Sequence, residues 1–308
     1  MPERKVFLVF SKNKYLLDLS DNGLENYLRE IHPAEKEEFT ISEIDTIKTD
    51  IQKGDIIQLG KHRLFCGDST GEDVKSLMDG KKADMTFTDP PYAAFGSSTG
   101  LSKRIVDTKM IAPFIRLSLQ NIRQNTKVIG HVYIFMDWKT YPCFHEENKF
   151  VGMAPKNLIV WHKPNSRLGA NYTNSHELIY FLTNMADRTT LSGDSAKEFV
   201  FHGETNVWVL NNEQSNLREH FAQKPLALAI RAIKNSSKND DIILDLFGGS
   251  GSTLIACEQT GRKCYMMEID PQYCQVIVDR WEKYTGQKAE IVKNGEIDVL
   301  KNSDREDN

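Results

Sequence analysis

The sequence predicts an α/β fold with a doubly wound, mostly parallel sheet, and three observations lead there. Short apolar runs alternate with segments of helical spacing. A glycine-rich turn, Asp245-Leu246-Phe247-Gly248-Gly249-Ser250-Gly251-Ser252-Thr253, stands between one such run and a helix. A second run stops at Asp89-Pro90-Pro91-Tyr92, where the prolines remove two backbone donors.

In chain order, Gly54 to Asp68 alternates around Gly60-Lys61 and reads as a β-hairpin. Ala83 to Thr88 is a short buried strand ending at the prolines. Met110, Ile111, Phe114, Ile115, Leu119 and Ile122 recur at helical spacing, with Pro113 tolerated in the first turn. Val128 to Met136, Asn157 to Trp161 and Glu177 to Leu182 read as strands. Lys224 to Ile233 is helical with Pro225 at its start. Ile242 to Leu246 is a strand, Thr253 to Gln259 a helix and Lys263 to Glu268 a strand. Pro271 opens a last helix with Tyr273, Val276, Ile277, Trp281 and Tyr284 on one face. The expected organisation is an appendage and linker over 1–50 and a main domain over 51–293. A variable segment lies at about 183–220, and a polar, fraying tail covers 294–308. There is no internal repeat.

A chain of 308 residues has ample length for a core. No run approaches the roughly 18 apolar residues that a membrane helix needs. Val6 to Phe10 is too short for a signal-peptide core. The five cysteines, Cys66, Cys143, Cys257, Cys264 and Cys274, are odd in number and lack a C-x-x-C pair. They read as reduced thiols of a cytoplasmic protein, not as a metal site or a disulfide frame. The net charge of −4 conceals a basic middle: residues 96–176 carry 11 Lys and Arg against 4 Asp and Glu. Such a stretch suits a phosphate-facing surface; ordinary variation among solvated charges is the bland alternative.

Two motifs stand at strand ends, where ligands sit in doubly wound sheets. The glycines of the first allow a tight turn and close backbone approach by a ligand. Glu268, ending the next strand, can accept hydrogen bonds from a ribose diol. Taken alone, this pair also fits a nicotinamide-dependent dehydrogenase. In the second motif Asp89 is an acceptor, Pro90 leaves its carbonyl free, Pro91 stiffens the turn and Tyr92 offers a ring face. An exocyclic base amine is a poor nucleophile because its lone pair is delocalised. A carboxylate and a carbonyl gripping its N–H groups would draw it toward tetrahedral geometry.

With these motifs the chain resembles the beta-class DNA amino-methyltransferases of bacteria and their phages, over about residues 54–290. Asp89 to Tyr92 match the family's catalytic motif and Asp245 to Thr253 its cofactor loop. Glu268 with Asp270-Pro271 and Tyr273 is similar to the ribose-binding motif. Gly67-Asp68-Ser69 resembles the motif nearing the adenine, and Gln223-Lys224-Pro225 the one closing over the cofactor. Trp161, Lys163 and His176-Glu177 resemble a stretch lining the target-base pocket. Leu246 and Ser252 depart from the pattern, where Pro and Thr are expected. The catalytic motif precedes the glycine loop, which is the permuted order of the beta class.

The resemblance implies a Rossmann-like fold and S-adenosyl-L-methionine as methyl donor, bound by Asp68, Lys224, Pro225, Asp245, Phe247, Gly248, Gly249, Gly251 and Glu268. It implies no metal. It further implies double-stranded DNA as substrate, with the base flipped out of the stack because its amine faces its pairing partner. Asp at the head of the motif favours N6 of adenine; N4 of cytosine is the alternative, and RNA and a protein glutamine are lesser ones. An inactive DNA-binding relative is a further alternative. Phe95 to Gly100 fit a mobile loop over DNA. Arg104, Lys109, Arg167, Arg188 and Lys197 are candidates for phosphate or base contact. A homodimer and a cognate restriction nuclease are partners the family allows. His131, His145 and His202 read as structural.

Overall fold

The structure, a computed structural model, describes residues 47–91, 111–167, 172–185, 204–210, 224–293 and 296–299. All belong to one unit, Thr40–Asn308. The chain runs through β1 (Ile56–Leu59), β2 (His62–Cys66), α1 (Asp73–Met78), β3 (Ala83–Thr88), α2 (Ile111–Asn125) and β4 (Thr126–Met136). It continues through α3 (Tyr141–Val151), β5 (Ala154–Arg167), β6 (Asn174–Thr183), β7 (Val207–Val209), α4 (Leu226–Ser236) and β8 (Ile242–Asp245). It closes with α5 (Ser252–Thr260), β9 (Lys263–Glu268), α6 (Pro271–Thr285), β10 (Glu290–Lys293) and β11 (Glu296–Val299).

The strands form one sheet in the order β11-β10-β1-β2-β9-β8-β3-β4-β6-β5-β7. Its centre, β2-β9-β8-β3-β4, is parallel throughout. The hairpins β1–β2 and β10–β11 extend it antiparallel on one side, and β6 and β5 on the other. The doubly wound core is therefore the middle of a mixed sheet. Burial explains the division. In β3, β8 and β9 nearly every residue is buried, as expected of strands covered by helices on both faces. In β1 and β7 burial alternates, as it does in strands with one solvated face.

The core packs Val74 and Leu77 of α1, Ile115, Leu119 and Ile122 of α2 and Phe144 and Val151 of α3 against the sheet strands. His62 ties the hairpin down. Its Nδ1 accepts the Cys264 amide at 2.9 Å and its Nε2 donates to Glu258 at 2.7 Å, so burial and both partners fix one tautomer. Burial also lowers its pKa, although the Glu258 hydrogen bond acts the other way. All five cysteines are free thiols, as expected, and all but Cys143 are buried.

Five elements were not foreseen. Helix α1 is short. Helix α3 buries Glu147 and Asn148 beside Phe144 and Val151, so polar residues mask its period. Arg116 bonds Glu147 there at 2.5 Å, and the Asn148 side-chain N–H donates to the Met153 carbonyl at 2.9 Å. β7 lies within the segment read as variable. β10 ends the expected main domain, and β11 lies in the segment expected to fray from 294: Glu296 to Val299 pair with Lys293 to Glu290 in register. Each of these two strands finds a ladder partner, β10 on β1 and β11 on β10, and this outweighs its charged residues. Among the described residues no helix is long and apolar enough to cross a membrane.

Candidate active site

Helix α5 leads from β8 to β9 and α2 leads from β3 to β4, in opposite directions along the sheet. The neighbours β3 and β8, with Met85 opposite Ile243 and Thr86 opposite Leu244, are thus the switch point where a crevice opens. Asp89-Pro90 leaves β3 there, and the loop after Asp245 leaves β8. Pairing of Asp245 with Met266 and of Cys66 with Glu268 brings Glu268 and Asp68 to the same edge. On the other flank Met136 pairs with Leu178 and Trp161 with Glu177, which adds the ends of β5 and β6.

The loop after β8 is built from the backbone. A Cβ on Gly248 would lie 2.7 Å from both Cγ and Sδ of Met266, so only glycine lets the chain pass. Gly249, at φ 51°, faces open space. Glu268 holds this turn: Oε2 accepts the Gly249 amide at 2.8 Å and Oε1 the Asp270 amide at 3.0 Å. Burial pushes the Glu268 carboxyl up to about 7 in spite of those bonds. Asp245 is likewise pushed up to about 7 by burial. Its Oδ1 accepts the Thr88 hydroxyl at 2.8 Å and the Phe247 amide at 3.1 Å. Asp68 is exposed and caps its own turn, Oδ1 accepting the amide of Thr70 at 2.8 Å. Phe247 packs against Phe114, their rings 5.7 Å apart.

The crevice's other wall is charged. Lys224, just before the Pro225 N-cap of α4, places its ammonium 2.9 Å from Asp89 Oδ2 and 2.9 Å from Glu177 Oε2. Glu177 Oε1 takes Lys163. Lys224 lies 4.5 Å from the Phe135 ring centre, and Lys163 lies 4.3 Å from that of Trp161. Glu177 is half-buried, and desolvation would raise its pKa, but the two ammoniums hold it down to about 2. Asp89 is raised by burial, a push that Lys224 opposes. Its Oδ1 is buried and has no hydrogen-bond partner among the described residues. Lys224 thus faces the Asp89 side of the crevice.

The structure brings together Asp89, Pro90, Lys163, Lys224, Asp245, Glu268 and the glycine loop. Trp161 joins them as a support: it is 2% exposed, and its indole N–H donates to the Leu210 carbonyl at 3.3 Å. His176 does not join them. It stands opposite His162 on the other face of the sheet from Glu177, exposed, because successive strand residues alternate. Tyr92, Phe95 to Gly100, Arg104, Lys109, Arg188, Lys197 and His202 lie outside the described residues, as does the side chain of Arg167. His131 and His145 are structural as expected, bonded to Ser236 at 2.7 Å and to Tyr180 at 3.0 Å. Thr88 was missed, and its only sequence signal was its place before Asp89. No group of three potential metal ligands occurs among the described residues.

The family model described as DNA methylase, of the N6/N4 type, matches residues 83–279, from β3 into α6. The chain belongs to this DNA methylase family. Two curated relatives of this methylase are M.HpaI of Haemophilus parainfluenzae and YhdJ of Escherichia coli. The first, a type II methyltransferase, is 26% identical over 71% of this chain and 73% of its own length. The second, a DNA adenine methyltransferase, is 26% identical over 74% and 85%. Among solved structures, M1.HpyAVI in complex with SAM superposes with a TM-score of 0.53 at 19% identity, covering 71% of this chain and 98% of its own. The cytosine-N4-specific PvuII DNA methyltransferase gives 0.55 at 17%, covering 74% and 91%. Both support the α/β methyltransferase fold.

Proposed function

We propose that this DNA methylase transfers a methyl group from S-adenosyl-L-methionine to the exocyclic N6 of a flipped adenine in double-stranded DNA. The observation that carries the reading is the orphaned Asp89 Oδ1, a buried acceptor beside the glycine loop. A buried carboxylate oxygen without a donor is costly, and an amine N–H entering the crevice would satisfy it.

The residues present fit the cofactor. Gly249 faces open space for a ligand, and the Glu268 carboxylate stands at the same strand edge as an acceptor for a ribose diol. Asp245 and Asp68 stand at strand ends on either side of β9 for its polar groups. When bound, the cofactor supplies a methyl carried on a sulfonium, an electrophile that needs no metal. The chain's own residues do the rest. Asp89 accepts one amine N–H and the Pro90 carbonyl the other, which localises the nitrogen lone pair. Holding amine and methyl in line supplies much of the acceleration. The adenine preference rests on Asp89 at the head of the motif.

The test is incorporation of tritiated methyl into plasmid DNA, followed by chromatography of the nucleosides. N6-methyladenine is expected, and Asp89→Ala should abolish it while cofactor binding persists. Recovery of N4-methylcytosine would replace the base assignment, and undiminished transfer by Asp89→Ala would overturn the site.

A further inference from the structure

We infer that Glu177 is a positioning residue for methyl transfer, acting through Lys224 to keep Asp89 Oδ1 open for the target amine. The inference rests on the proposed reaction and concerns how the catalytic carboxylate is held.

Four charges meet here: the carboxylates of Asp89 and Glu177 and the ammoniums of Lys224 and Lys163. Lys224 is shared, at 2.9 Å from one oxygen of each carboxylate, whereas Lys163 bonds the remaining oxygen of Glu177. Glu177 therefore uses both its oxygens on cations, and Asp89 uses only Oδ2. The phenyl ring of Phe135 and the indole of Trp161 floor the ammoniums, so these cannot retreat into an apolar wall without cost. Without the Glu177 charge, both ammoniums would face Asp89 as the only anion within reach. A second ammonium on Oδ1 would fill the position that the amine must occupy. Glu177 thus draws Lys163 away and leaves Lys224 as a one-sided clamp that orients the carboxyl group.

The neutral isostere separates this role from packing. For Glu177→Gln, kcat should fall by roughly ten- to a hundredfold, with cofactor affinity and thermal stability close to wild type. The acid limb of the kcat profile should move to lower pH. The groups acting on Asp89 are Lys224, Glu177 and Lys163, with Asp245 behind it, and losing the Glu177 charge removes an influence that raises its pKa. Glu177→Asp, which keeps the charge, should recover most of the rate and serves if the Gln variant does not fold. An unchanged kcat and pH profile in Glu177→Gln would overturn the inference. So would a rate loss matched by loss of cofactor binding and stability, which is the signature of a scaffold residue. Absence of DNA methylation by the wild type would instead sink the proposed reaction.

Discussion

The Thr88 hydroxyl donates to Asp245 Oδ1 across 2.8 Å and receives the Leu246 amide at 3.2 Å, so one side chain joins the strand carrying Asp89 to the strand opening the glycine loop. Both bonds are buried. The two halves of the crevice, read above as the amine-binding and cofactor-binding sides, therefore share a fastening through a residue outside both motifs.

Thr88→Val keeps the shape and removes that fastening. Leaving the Asp245 oxygen and the Leu246 amide short of partners should cost about 1–3 kcal/mol of stability. Affinity for the cofactor should weaken by roughly five- to thirtyfold, the equivalent of about 1–2 kcal/mol. Thermal melts and titration calorimetry read the two effects, and a variant binding as tightly as wild type would show the link to be incidental.

Glu268 carries a distinct pH signature. Its carboxyl lies near 7 in the folded chain, raised by burial from its ordinary 4.5, so the folded state retains a proton that the unfolded state releases. Its contribution to stability is thus greatest below the unfolded value and declines as pH rises toward 7. Glu268→Gln has no such proton to lose. The melting temperature of that variant minus that of the cofactor-free wild type should grow between about pH 4 and pH 8, a range bracketing both values. A flat difference would contradict the shift.

Two neighbouring glycines should fail differently. Gly248→Ala drives a Cβ into Met266, and overpacking of this kind costs about 1–3 kcal/mol, so stability and cofactor binding should fall together. Gly249→Ala meets nothing within 4 Å but must adopt φ 51°, a strain of about 1 kcal/mol. Its methyl would project into the space offered to the ligand. Binding should therefore suffer out of proportion to stability, and equal losses in both quantities for both variants would refute the cradle.

His176→Ala should methylate like wild type, because its imidazole lies across the sheet from Lys163 and Glu177. A steady-state comparison on plasmid DNA suffices. A marked fall in kcat would return His176 to the base pocket.

Much of the crevice was legible in the sequence because its parts are local. Asp89-Pro90, the Asp245–Gly251 turn and Glu268 each combine a strand end with residues that make poor packing material. The parallel centre was legible for a similar reason, its strands being nearly continuous apolar runs. Glu177 was quoted only as a neighbour of His176, since a charge at the start of a strand ordinarily points to solvent. Its meaning comes from Lys163 and Lys224, which other elements bring to it. The same holds for α3, whose buried Glu147 and Asn148 look like a solvated face until Arg116 and the Met153 carbonyl are in place. Pairing also rescues β11, whose four residues carry no signal of their own.

The seam between β3 and β8 rests on a short register, Met85 to Ile243 and Thr86 to Leu244, yet the stretch of chain between the two strands supplies every strand on one side of it. On the proposed reaction, competence is a late acquisition in folding, since a nascent chain lacking β8 has Asp89 but not the loop proposed to hold the donor. It also makes the order of the two motifs along the chain a matter of wiring. A gene rearranged to begin at β8 and finish after α4 would restore the same seam, and two fragments divided between α4 and β8 should complement each other when mixed.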